Sequence, residues 1–173
     1  TVRAVPDGPR LRYEKIADFL TTDDAWFRPI AIHFGPDGAL YLVDWYNRII
    51  SHNEVPRTHP DRDKTRGRIW RLTYDGMDRD KTTPHMNNET AAQLVTHLGH
   101  PNGWWRDTAQ RLLVLKQDKT VVPTLLAMAK TNTTNQLARI HAIWTLEGLN
   151  SFDSATARLL MKDSDPQIRI QAI

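Results

Sequence analysis

The 173-residue sequence predicts an α+β chain of two domains, short strands first and a solenoid of paired helices after them. Three observations predict it. Apolar residues alternate between Gly- and Pro-containing turns up to about residue 73, and a polar stretch without periodicity runs from Tyr74 to Asn88. Beyond that stretch the period becomes helical and carries one motif three times in phase. The boundary falls near residue 80, giving domains over 1–80 and 81–173. The chain opens on Thr1 rather than Met, and the helical pattern is still running at Ile173, so it reads as a fragment of a longer protein.

In the first domain, Arg12 to Leu20 gives a weak strand signal. Ile30, Ile32 and Phe34 alternate with Ala31 and His33, the period of a half-buried strand. Gly35-Pro36-Asp37-Gly38 then favours a tight reversal, because Pro presets φ and Gly tolerates positive φ. Leu40, Tyr41 and Val43 make the returning strand of a hairpin, and Gly67 to Thr73 gives a further strand closed by Asp75-Gly76. Short strands punctuated this way suggest one or more blades of a β-propeller.

In the second domain, apolar positions predict five helices, around Leu94–Leu98, Ala109–Leu115, Val121–Met128, Ile140–Leu146 and Leu159–Met161. Gly99, Pro101, Asn132, Gly148 and Pro166 stand in the breaks. Arg106-x-x-Ala109, Arg139-x-x-Ala142 and Arg169-x-x-Ala172 lie 33 and 30 residues apart, each in the first helix of a pair. That phase predicts an α-solenoid. The small Ala admits a neighbouring helix, while the Arg reaches a carbonyl or carboxylate, with Asp107, Asp163 and Asp165 as candidate partners. Asn88-Glu-Thr90 and Asn132-Thr-Thr134 have the form of glycosylation sequons, which count only in a eukaryotic secretory setting.

Composition narrows the function. Charge is nearly balanced, 23 Lys+Arg against 20 Asp+Glu, with no dense basic run, so no nucleic-acid partner is expected. No apolar run is long enough for a membrane span in this segment. Cysteine is absent, which excludes disulfides, thiol nucleophiles, zinc-thiolate sites and haem attachment within the chain. Gly-rich phosphate loops, Gly-x-Ser-x-Gly elbows and His-Glu-x-x-His are also missing, so hydrolase and nucleotide-binding readings lack support.

Phe27-Arg28-Pro29, Gly35-Pro36-Asp37-Gly38-Ala39-Leu40-Tyr41, Asp44-Trp45-Tyr46-Asn47 and Gly67-Arg68-Ile69-Trp70-Arg71, in that order, resemble the final blade region of glucose/sorbosone dehydrogenase-like β-propellers. The His100-Pro101 and Asp165-Pro166 turns with the phased Arg-x-x-Ala motif resemble HEAT-type repeats. A propeller of this kind followed by HEAT repeats is similar to bacterial multidomain proteins of the membrane-bound dehydrogenase type. The resemblance implies a sugar- or aldehyde-oxidising propeller, a periplasmic or extracellular setting, and a solenoid that binds protein partners. In the quinoprotein members it also implies pyrroloquinoline quinone with calcium. Their catalytic His comes from earlier blades, so the resemblance assigns no catalytic residue here. A sugar or polysaccharide substrate is expected, and the alternative is a non-catalytic scaffold that binds a polysaccharide or another protein.

The candidate binding residues are Asp44, Trp45, Tyr46, Asn47 and His52. The first four follow a strand, on a loop of the kind where propellers bind ligands. Trp and Tyr offer stacking faces for a sugar or quinone, and Asp and Asn offer hydrogen bonds. In the alternative reading Asp44 caps a turn and the aromatics pack between blades. His52 and His59, near Asp61 and Asp63, sit in a long charged insertion from Ser51 to Arg66. A solvated loop suits them better than a metal or general-base site, because the calcium-loop Gly and Glu are out of place. His97 and His100 are spaced to share a metal but have no evident third ligand. Trp104-Trp105 opens a helix where an indole can fill an inter-domain joint or mark a partner patch.

Overall fold

A computed structural model describes all residues except 8–9, 51–53 and 133–134. The described residues form a mixed α/β structure with two small antiparallel sheets and six α-helices. They divide into two compact units, one of residues 1–33 and 39–77, the other of residues 34–38 and 78–173.

In the first unit, β1 (Val2–Asp7) pairs antiparallel with β2 (Arg10–Lys15), Val2 opposite Lys15 and Asp7 opposite Arg10. The strand expected over Arg12–Leu20 therefore begins earlier and ends at Lys15. Beyond it the chain turns back toward β1. The Thr1 hydroxyl accepts the Phe19 N–H at 2.8 Å. Strand β1 lacks a sustained alternation and gains its ladder from β2. The second sheet runs β3 (Pro29–Phe34), β4 (Leu40–Asp44), β5 (Arg68–Leu72) in chain order, with Leu40 opposite Leu72 and Asp44 opposite Arg68. The hairpin read from the Gly-Pro-Asp-Gly turn is present. Gly38 N–H bonds to Gly35 C=O at 3.0 Å, and Gly38 takes φ +78°, where a Cβ would be strained.

The second unit contains α1 (Ala91–His97), α2 (Gly103–Lys116), α3 (Val122–Lys130), α4 (Gln136–Gly148), α5 (Ser154–Leu160) and α6 (Pro166–Gln171). Their starts are chemically specified. Thr90 and Gln93 form a reciprocal capping box on α1, while Asn102, Asn135, Asp153 and Asp165 cap α2, α4, α5 and α6 through their side-chain oxygens. Packing of α1 on α2, α2 and α3 on α4, and α4 on α6 buries one continuous core that includes Leu94, Leu98, Leu113, Leu125, Ile143, Leu146, Leu160 and Ile168.

The three repeated arginines work through carbonyls. Arg106 Nη1 donates to the carbonyls of His100 and Pro101, at 2.5 and 2.8 Å. Arg169 Nη1 donates to those of Asp163 and Ser164, at 2.8 and 3.0 Å, so both satisfy the turn five and six residues upstream. Arg139, 3% exposed, donates instead to Ala129 C=O at 3.0 Å and forms a bidentate pair with Asp163. The other two candidate partners are used differently. Asp107 faces His141 at 3.9 Å, and Asp165 accepts from Gln136.

Candidate functional site

Asp44 closes β4 and lies 1% exposed. Its Oδ1 accepts the backbone N–H of Arg28 at 2.8 Å and of Tyr46 at 2.9 Å. Its Oδ2 accepts Arg68 Nε at 2.8 Å and the Trp70 indole N–H at 3.1 Å, with Arg68 Nη2 at 2.7 Å. Burial works against ionisation of this carboxyl, but the surrounding donors outweigh it and hold its pKa below the ordinary carboxylate value. Arg68 in turn reaches Asp24 at 2.9 Å and lies over the Tyr46 ring, 3.6 Å from its centroid, and the Trp70 ring at 4.9 Å.

The remaining members of the predicted loop follow from this centre. Tyr46 adopts φ +50°, an uncommon region for a bulky residue, and the Asp44 bond and the overlying guanidinium hold it there. Asn47, 1% exposed, donates to Asp63 C=O at 2.7 Å and accepts the Ile49 N–H at 3.2 Å. Trp45 donates its backbone N–H to Arg28 C=O at 2.9 Å and is itself 39% exposed. His52 lies outside the described residues. Asp44, Tyr46 and Asn47 thus form a lock that binds strand ends and the following loop, while Trp45 alone of the four presents a free ring edge.

Sequence reasoning missed Asp24, Trp26 and Arg28 as members of this cluster. The signal was available in part. Asp24 accepts the Trp26 N–H at 3.0 Å in a short-range turn of the kind Asp-x-aromatic can make, and Trp26 then packs on Tyr46, centroids 5.5 Å apart. The long-range partner Arg68 has no local signature.

The cluster does not fit a calcium–quinone centre. Both Asp44 oxygens are taken by N–H donors, and a guanidinium occupies the side from which a cation would approach. Asp61 and Asp63 do not converge either. Asp61 faces Arg48 at 3.4 Å, whereas Asp63 accepts Thr65 N–H and Oγ1 at 2.8 and 2.9 Å and pairs with Arg66. The two Thr65 bonds dominate and lower the Asp63 pKa to about 2.

In the second unit, His97 and His100 both lie against Trp105, ring centroids 5.3 and 5.4 Å away. Each has its own carboxylate, Glu89 at 2.8 Å from His97 and Asp80 at 4.0 Å from His100. Among the described residues no group of three or more His, Asp or Glu is placed to hold a metal. The buried Trp105 donates its indole N–H to Pro36 C=O at 3.0 Å and meets Trp104 edge to face. No helix of the described residues is long and apolar enough to cross a membrane.

Residues 3–76 match the family model for a domain of unknown function, DUF7133. The chain is similar to that family over this stretch. The matched residues include the five strands, except for Val2 of β1, and the whole Asp44 cluster. Comparison with curated proteins and with solved structures finds no match.

Proposed function

We propose that this chain contributes a propeller blade of the glucose/sorbosone dehydrogenase-like type, followed in sequence by HEAT-type repeats, to a bacterial dehydrogenase working in the periplasm or outside the cell. One observation carries the reading. The sheet β3-β4-β5 follows chain order, as a blade does, yet apart from the buried Leu42 much of its apolar surface remains in solvent: Ile30, Ile32 and Ile69 are 64%, 58% and 72% exposed. Such a sheet needs flanking sheets to cover it, and a ring of blades provides them. The regular arginine–carbonyl bonds of the helical unit support the repeat reading in the same way.

A second reading, a non-catalytic scaffold that binds a polysaccharide or a protein, is favoured by the saturated Asp44. A carboxylate whose acceptors are all engaged supports a loop and moves no proton. One experiment separates the two. The full-length protein, supplied with pyrroloquinoline quinone and calcium, is assayed for aldose and aldehyde oxidation with a dye acceptor. Turnover supports the dehydrogenase. No turnover across the panel, with retained binding of a polysaccharide or a protein, supports the scaffold.

A further inference from the structure

The segment from Arg57 to Arg66 lines an open cleft of about 410 Å³ with Trp26 at its side. Its backbone is fastened at several points. Arg62 Nη2 and Nε donate to the carbonyls of Val55 and Pro56 at 2.8 and 3.2 Å. Asp63 closes a turn onto Thr65 and Arg66, and Asn47 holds the Asp63 carbonyl. The loop is therefore preorganised, which lowers the entropy lost when a ligand is bound.

The chemistry offered to the cleft is donor-rich. Arg57 and Lys64 are exposed and have no partner among the described residues, whereas the acidic neighbours Asp61 and Asp63 are engaged by Arg48 and by Thr65 and Arg66. His59 Nδ1 accepts the Asp61 N–H at 3.2 Å, so its neutral ring carries the proton on Nε2. Thr58 adds a hydroxyl, and Arg66, 5.6 Å over the Trp26 ring, uses Nε on Asp63 and keeps its two Nη groups for another acceptor. An aromatic wall beside unpaired cations and neutral donors suits a ligand with an apolar ring face and many oxygens, one or more of them anionic.

We infer that this cleft binds an acidic sugar, a pyranose bearing carboxylate or sulfate, its ring against Trp26 and its anionic group on Arg57 and Lys64. The site stands on the loop's own residues and is separate from the Asp44 lock. A nucleic acid is the poorer fit, because phosphate tracking needs a run of cations and two unpaired ones do not make it.

The test is calorimetric titration of the whole chain with four ligands: a galacturonate tetrasaccharide, its fully methyl-esterified form, a sulfated galactan tetrasaccharide and a four-nucleotide oligothymidylate. At least one acidic saccharide is expected to bind about ten-fold tighter than the neutral ester, and more weakly as salt is raised. Which one binds separates carboxylate from sulfate recognition. The double variant Arg57→Ala/Lys64→Ala is expected to lose about ten-fold or more for the acidic ligand only. Trp26→Ala should weaken all saccharides, but Trp26 also packs on Tyr46, so the decision rests on the exposed double variant with its fold checked by circular dichroism. Binding of neither acidic saccharide, equal binding of the ester, an unchanged double variant, or equal or tighter binding of the oligonucleotide would each overturn the proposal.

Discussion

At the scale of single residues, two titratable groups report on whether the described hydrogen bonds are those that hold the protein together. Asp44 has N–H groups of four residues around it and almost no solvent, so replacing it with Asn exchanges an ion pair for an amide that cannot accept all of them. Asp44→Asn is expected to cost about 2–3 kcal/mol in the first unit, read as an earlier urea midpoint in tryptophan fluorescence. Because the folded Asp44 pKa is lowered, its contribution is present above the ordinary value of 3.8 and is lost as pH falls below it. His141 acts in the same sense in a higher pH window. Arg106 Nε donates to its Nε2 at 3.3 Å, so the neutral ring carries its proton on Nδ1, which donates to Gln110 Oε1 at 2.7 Å. Burial, the largest effect, and Arg106 lower its pKa below 6.5, although Asp107 pulls the other way. Below 6.5 the unfolded chain binds a proton that the folded one refuses. Stability should therefore rise as pH climbs through that window toward 6.5, and His141→Gln should flatten the slope in thermal melts from pH 5 to 7.5.

At the scale of elements, the crossing of α2 and α4 depends on a missing side chain. A Cβ on Gly148 would stand 2.4 Å from Val114 Cγ2 and 3.1 Å from Cγ1, and the β-branched Val114 has little rotamer freedom on a helix. Gly148→Ala is expected to destabilise by about 1–3 kcal/mol, and Val114→Ala in the same chain should recover part of the loss. A neutral Gly148→Ala would mean that the two helices do not approach as described. Such close approaches explain why some elements could be read from the sequence and others could not. The hairpin at Gly35–Gly38 and the helix caps rest on neighbours within a few residues, and those residues announce them. The start of β1 and the partnership of Asp44 with Arg68 span 13 and 24 residues in sequence. Nothing local in the chain specifies them. The same holds for the candidate site. Its residues Asp44 to Asn47 stand out in the sequence, but their use as a lock depends on a strand that arrives much later.

At the scale of the whole molecule, burial is unevenly divided. Among the described residues, Ala39 and Leu42 are the buried hydrophobic side chains of the first unit, and all the others belong to the second. Since apolar burial supplies most of the favourable free energy, the strand unit of this chain should open more readily than the helical one. Hydrogen exchange followed by mass spectrometry is expected to give lower protection for β3 to β5 than for α2 and α4. Equal or higher protection in the strands would show that polar bonds around Asp44 compensate for the sparse core. The arginines of the helical unit have a further consequence, for protein engineering. Arg106 and Arg169 each find their acceptors within their own preceding turn, so the turn and the helix after it form a unit that can be transplanted intact. The natural splice point lies upstream of the turn, not at the first helical residue. A graft cut at the helix boundary would separate each guanidinium from its two carbonyls.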